Sequence, residues 1–254
     1  MKKLTEWYYP GGYLYAVGNL PAEKEDVWWK SLEGWELFFI GNPNPQTQEV
    51  QIRFYFSNKE PVDTLFPVPG KSSSLFPIFE QKYQHLTGGY NTPFGIRIQA
   101  EKPVMPHITR AEYEPWSDQL PGAMFGVTPY QGPLTDETLW YLADGLIADT
   151  EEHPLVFQEW IQILNPNQTL TTITGTIYLA NKKLRFQREL AAERVLLCKL
   201  EELPDLPRGE PFALKIEAQV PVIVQQTRRG LEKGAHPATR SIMSTLGVVG
   251  RGAF

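Results

Sequence analysis

The ten residues Gln219–Arg228 (QVPVIVQQTR) end a block that the chain writes twice, and that repetition restricts the fold more than any other feature. The earlier version is Ala100–Arg110 (AEKPVMPHITR). Compared without a gap, Pro93–Arg110 and Pro211–Arg228 share eight of eighteen positions at an offset of 118. The shared positions are the opening Pro-Phe, Ile98/Ile216, Ala100/Ala218, Pro103/Pro221, Val104/Val222 and the closing Thr-Arg. A second block, Glu36–Asn58 against Glu159–Asn181, shares seven of twenty-three at an offset of 123, Asn-Pro-Asn among them. Ordinary residue usage would give about one or two in either block. The offsets differ because the first copy carries an extra loop starting at His85. The chain is therefore a tandem duplication. Its 254 residues divide into domains expected at 1–127 and 136–254, with Pro129, Gly132 and Pro133 interrupting regular structure in the boundary Val127–Thr135. A domain of roughly 120 residues buries an adequate core without metal or disulfide.

Each copy opens with Trp-Tyr and a glycine five residues after the tryptophan: Trp7-Tyr8 to Gly12, and Trp140-Tyr141 to Gly145. From there to the repeat glutamate the first copy is ten residues longer and contains Trp28-Trp29. Glu49–Phe56 alternates polar and apolar residues, and Thr172–Leu179 does the same with Ile173, Gly175, Ile177 and Leu179 inward. A period of two marks a strand with one wet and one buried face. Glu36–Ile40 and Glu159–Leu164 are expected as partner strands of these, ending in Asn-Pro-Asn turns. Further strands are expected at Thr64–Val68, Ser74–Phe79, Phe94–Ala100, Leu184–Glu189, Arg194–Leu200 and Phe212–Val220. The one candidate for a helix is Ala235–Leu246. Short strands punctuated by 22 prolines and 20 glycines predict an all-β fold: two tandem β-sandwich, jelly-roll-like domains.

Several function classes drop out. A net charge of −5 leaves no electrostatic footprint for nucleic acid. No apolar run is long enough to span a bilayer. Met1-Lys2-Lys3 resembles the start of a signal peptide, but Glu6, Pro10 and glycines follow in place of an apolar segment. With Cys198 the only cysteine, there is no intramolecular disulfide, so a cytoplasmic location is expected. Cys198 sits among leucines and reads as a buried small hydrophobe. Phosphate-cradling, dinucleotide, zinc-protease and nucleophile-elbow motifs are all missing. The histidines His85, His107, His153 and His236 are scattered, so no metal, cofactor or catalytic residue is expected.

The candidate binding residues come from the repeat. Glu36 and Glu159 hold equivalent places, as do Arg110 and Arg228. A guanidinium fork matches a carboxylate, so Glu36 with Arg110 and Glu159 with Arg228 are natural partners. The bland reading of each glutamate is a charge at a strand entrance facing water. On the last motif strand, alternation puts His107 and Thr109 on one face and Ile108 and Arg110 on the other. In the second copy Gln225 and Thr227 oppose Gln226 and Arg228. The abrupt change from apolar residues to Gln-Gln-Thr-Arg suits a polar pocket or a solvated strand end. Because Ile108 stands where the second copy has Gln226, the two sites need not be equivalent. The tryptophans, Trp35, Trp116 and Trp160 among them, read as core or interface rings rather than sugar platforms.

The chain resembles the sensory rhodopsin transducer family, in two tandem copies. The resemblance rests on the opening Trp with Gly five residues on, the Glu before Ile-x-Asn, and a Tyr-x-x-Asn/Asp-Lys strand end. It also rests on Val220–Arg228 and the small-residue segment from Ser241 to Leu246. The family carries a histidine immediately before the repeat glutamate; Trp35 and Gln158 stand there, so no contact by that histidine is carried over. The resemblance implies a β-sandwich akin to carbohydrate-binding folds, and domains that assemble as four. A two-domain chain would then form a homodimer, a pseudo-tetramer of domains. The expected function is a non-enzymatic binding protein for a small polar ligand, sugar-like or anionic, with a regulatory or sensory role. The ligand-binding residues would be Glu36, His107, Thr109, Arg110, Glu159, Gln225, Gln226, Thr227 and Arg228. The alternative is a cytoplasmic signalling adaptor working through protein contacts, with a membrane receptor among the candidate partners and Trp28-Trp29 as its surface.

Overall fold

Alternating strands with one apolar face must bury that face against a second sheet, and the chain does this twice. The computed structural model describes residues 4–13, 15–16, 32–76, 78, 84–87, 92–112, 123–148, 155–232 and 239–250. The chain forms two compact units, Met1–Pro133 and Leu134–Phe254.

The strands of the first unit are β1 (Thr5–Tyr13), β2 (Tyr15–Ala16), β3 (Leu32–Asn42), β4 (Gln48–Phe56) and β5 (Val62–Val68). They continue with β6 (Ser72–Phe76), the single helical turn α1 (Gln84–Thr87), β7 (Pro93–Ala100), β8 (Met105–Glu112), β9 (Ala123–Val127) and β10 (Tyr130–Gln131). One sheet runs β10-β1-β7-β4-β5. The other runs β3-β8-β9, with β2 and β6 on the free side of β3. All pairings are antiparallel. Phe38 and Ile40 of β3, Ile52 and Phe54 of β4, and Ile96 and Ile98 of β7 pack into one buried cluster between the sheets.

The second unit comprises β11 (Leu139–Leu146), β12 (Leu155–Asn165), β13 (Thr171–Tyr178), β14 (Lys183–Leu190) and β15 (Arg194–Lys199). A 3-10 turn at Leu200–Glu202 leads to β16 (Pro211–Ala218), β17 (Ile223–Glu232), β18 (Thr239–Leu246) and β19 (Val248–Val249). Its sheets run β14-β13-β16-β11-β19 and β15-β12-β17-β18. Strand for strand this is the first unit's order, with β2 as that unit's addition, so the duplication seen in the residues is also a duplication of topology. The alternation of Glu49–Phe56 and Thr172–Leu179 translates directly: Val50, Ile52 and Phe54, then Ile173 and Ile177, are buried.

Two expectations are corrected. Glu36–Ile40 and Glu159–Leu164 are strands, but neither pairs with the alternating strand that follows it. β3 pairs with β2, β6 and β8, and β12 with β15 and β17, so each Asn-Pro-Asn carries the chain from one sheet to the other. The asparagines make that corner. Asn42 Nδ2 donates to the carbonyls of Gln46 and Val68, both at 2.9 Å, while its Oδ1 accepts from the Asn44 amide N–H at 3.0 Å. Asn165 and Asn167 repeat the pattern, and Asn44 and Asn167 reach on to the carbonyls of Pro103 and Pro221. The helix expected at Ala235–Leu246 is instead the strand β18 over Thr239–Leu246. Its backbone groups find ladder partners on β17, from Gln225↔Leu246 to Leu231↔Thr239, which an isolated run of small residues does not reveal. Residues 235–238 lie outside the described residues.

The Trp-x4-Gly opening marks a bulge. The β1/β7 register shifts between Tyr9 and Gly12, and the β11/β16 register between Leu142 and Gly145. At each glycine an aromatic ring from the repeated Pro-Phe lies directly on the backbone: a Cβ on Gly12 would meet Phe94 at 2.2 Å, and one on Gly145 would meet Phe212 at 2.1 Å. The Trp140 indole N–H donates to the Val222 carbonyl at 2.9 Å, tying the opening motif to the Val-Pro block.

Candidate functional site

The repeat glutamates project from β3 and β12 into the space between the sheets. Register places Glu36 opposite Arg110 and Glu159 opposite Arg228. Both glutamates have no exposed surface, which overturns the reading of a water-facing charge. Arg110 Nη1 donates to Glu36 Oε1 at 3.4 Å, and the Tyr13 amide just past the β1 bulge donates to the same oxygen at 2.9 Å. In the second unit the Leu146 amide, just past the β11 bulge, donates to Glu159 Oε2 at 2.7 Å. Each carboxylate thus ties the bulged strand of one sheet to two strands of the other.

The units part company at the arginine. The Arg110 side chain is 2% exposed and closed off by its own unit. Arg228 is 14% exposed, with Nη2 at 3.6 Å from Glu159 Oε1. Its Nη1 lies 3.5 Å from Asp144 Oδ2, and Nη2 also donates to the Asp144 carbonyl. The Gln226 amide donates to Glu159 Oε1. Gln226 and Arg228 line a cleft of about 310 Å³ with Asp144, Tyr141, Met243 and Val248. Asp144 sits on the bulge in the left-handed region, at φ 69°, with its carboxylate in the open. Where the second unit has Gln226, the first has buried Ile108, so an apolar side chain replaces the amide.

Of the nine residues singled out from the sequence, Glu159, Gln226 and Arg228 share this site, and Glu36 and Arg110 form the closed counterpart. The remaining four lie elsewhere, as strand alternation requires. Gln225 and Thr227 face away and meet Ser244 Oγ of β18 at 2.6 and 2.9 Å. His107 is exposed on the outer face of β8, over Gly126, and Thr109 is half-buried on the same side. Asp144, Tyr141 and Met243 were missed. For Asp144 the signal was its place immediately before the motif glycine; Met243 carries none, because only the β17/β18 register brings it opposite Arg228. Trp28, Trp29, Trp116, His153 and His236 lie outside the described residues, as does the Trp35 side chain. Trp160 is buried, as is Cys198, whose thiol burial pushes up to about 11.

Burial pushes the Glu159 carboxyl up to about 7; the Leu146 amide, Arg228 and Gln226 oppose the rise, and Asp144 adds to it. A native carboxyl that holds its proton more tightly than the unfolded chain stabilises the fold at low pH. That contribution is complete below about pH 4.5 and is lost as pH rises through about 7, of order 3 kcal/mol in all. Thermal melts between pH 5 and 8 should therefore show stability falling with pH, and Glu159→Gln should flatten the profile. An unchanged slope in that variant would contradict the assignment.

Fold and site together define a duplicated antiparallel β-sandwich protein with a buried Glu–Arg tie in each unit and an open polar cleft in the second. The family model described as Anabaena sensory rhodopsin transducer matches residues 135–248, which lie in the second unit. Among solved structures, that of Thermotoga maritima 1070 is similar at 26% identity, covering 46% of this chain and 97% of its own, with a TM-score of 0.38. The Anabaena sensory rhodopsin transducer is similar at 25% identity over 37% of this chain and 97% of its own, with a TM-score of 0.32. No curated protein matches. Among the described residues no helix is long and apolar enough to cross a membrane.

Proposed function

We propose that the protein is a non-enzymatic sensory or regulatory transducer whose second unit binds a small polyhydroxylated molecule in the Arg228 cleft. One observation carries the reading: a guanidinium, an open carboxylate and an amide, from Arg228, Asp144 and Gln226, meet in one cleft beside the Tyr141 ring. Sugar hydroxyls both donate and accept, and this set offers both, with the exposed Tyr141 ring and Met243 as apolar walls. A purely anionic ligand would compete with Asp144 for Arg228 and be repelled by its carboxylate, so a neutral polyol suits the cleft better. The transducer role is supported by the family, whose description names a sensory rhodopsin transducer. That description also favours the second reading, an adaptor acting through protein contacts with a membrane receptor.

A thermal-shift screen against sugars, sugar acids and nucleotides tests the first reading, because a ligand of the native state raises Tm with the logarithm of its excess. A sugar hit should weaken about tenfold or more in Arg228→Ala and in Asp144→Ala, each of which removes a charged hydrogen-bonding group. The exposed Asp144 side chain makes the second variant the safer one for folding. No hit in any class, with partner capture intact in Arg228→Ala, would leave the adaptor as the better reading.

A further inference from the structure

The β13–β14 hairpin differs from its counterpart in one concerted way. In the first unit β5 sets Val62, Thr64 and Phe66 opposite Phe54, Ile52 and Val50. Phe66 packs on the core, its ring centroid 5.0 Å from that of Phe76. Asp63, on the other face, pairs with Arg53 at 2.7 Å. The same register in the second unit sets Leu184, Phe186 and Arg188 opposite Ile177, Gly175 and Ile173, with Arg185 in the place of Asp63. Phe186 lies over Gly175 so closely that a Cβ there would meet its ring at 2.1 Å. The place filled by Phe66 in one unit is therefore held by a charged, flexible side chain in the other.

The outcome is a pocket of about 250 Å³ with an apolar floor of Ile177, Leu184, Phe186, Leu203 and Pro204, and with Arg185 and Arg188 also in its lining. Neither arginine is ion-paired with a carboxylate among the described residues; Arg188 Nη1 donates to the backbone carbonyl of Gln187 at 2.9 Å. Lys182 and Lys183 stand at the same hairpin, where Lys182 Nζ donates to the Asp205 carbonyl at 3.2 Å, and Glu201, Glu202 and Asp205 flank Leu203 and Pro204 in the chain. A pocket just below the usual range for drug-sized ligands, greasy on its floor and carrying two arginines, selects a small molecule with an apolar tail and an anionic head.

We propose that this pocket binds a small amphiphilic anion, a short apolar tail carrying one carboxylate, sulfonate or phosphate head. The tail packs on Leu184, Phe186 and Leu203, and the head takes the two guanidiniums. This site is separate from the Arg228 cleft and does not depend on the reading given to that cleft.

Octanoate, its neutral counterpart octanol, and vesicles of an anionic phospholipid are the probes, titrated calorimetrically into the full chain. Octanoate should bind with a Kd on the order of 1 mM or tighter, in keeping with its few heavy atoms. Octanol should bind about tenfold more weakly, because it lacks the charge-assisted hydrogen bonds. Arg188→Phe, which installs the first unit's residue, should abolish binding by filling the pocket. The exposed Arg185→Ala variant, which leaves the apolar floor untouched, should weaken it several-fold, and Asp144→Ala should leave it unchanged. Equal binding of octanol, full binding in Arg185→Ala, no octanoate binding, or binding to vesicles alone would each overturn the proposal.

Discussion

Glu36→Ala should lower the stability of the first unit by about 3–5 kcal/mol, the range for breaking a buried ion pair from one side. The variant removes the carboxylate that faces Arg110, whose side chain is 2% exposed and so remains charged away from water. It also takes the acceptor from the Tyr13 amide beside the β1 bulge. Glu36→Gln separates these losses: the amide oxygen still accepts from Tyr13, while the charge is gone, so its cost should fall between wild type and Glu36→Ala. Urea denaturation of the full chain, followed by tryptophan fluorescence, measures both. A loss below about 1 kcal/mol in Glu36→Ala would mean that the tie between the sheets is dispensable, contrary to the burial argument.

Gly145→Ala should cost about 1–3 kcal/mol or more by overpacking. The added methyl would sit 2.1 Å from the Phe212 ring, and backbone fixed by the β11/β16 ladder cannot retreat far. The ring must then leave its place between the sheets. If that contact is the cause, Phe212→Leu in the Gly145→Ala background should recover part of the loss, although Phe212→Leu alone destabilises. Two penalties that simply add would show that the glycine is required for some other reason.

These two predictions join motifs that look unrelated along the chain. The glycine of the opening, the Pro-Phe of the later block and the repeat glutamate belong to one device: the ring lies on the bulge, and the carboxylate takes the amide beside it. From residues alone, the repeat could say that Gly12/Gly145, Phe94/Phe212 and Glu36/Glu159 were each retained, but not that they touch. Strand faces were legible, because alternation at a period of two depends only on which residues are apolar. The pairing of Glu36 with Arg110 and of Glu159 with Arg228 was legible because a carboxylate and a guanidinium kept at the same places in both copies are natural partners.

What alternation cannot specify is the neighbour. A strand has two edges, and the pattern of its faces does not choose between them, so β3 was expected beside β4 although Asn42 sends the chain to the other sheet. The run Thr239–Leu246 carried no strong pattern, and its strand character comes from the ladder that β17 offers it.

The amino-acid sequence by itself determined an all-β chain built twice from one plan, with a carboxylate and an arginine at the same place in each copy, because these follow from local periodicity and from the repeat. Only the tertiary structure decided that the first pair is sealed and the second opens on a cleft. Exposure is set by what packs over a residue, and Arg228 meets the open carboxylate of Asp144, which the β11 bulge brings to it from a strand distant in the chain.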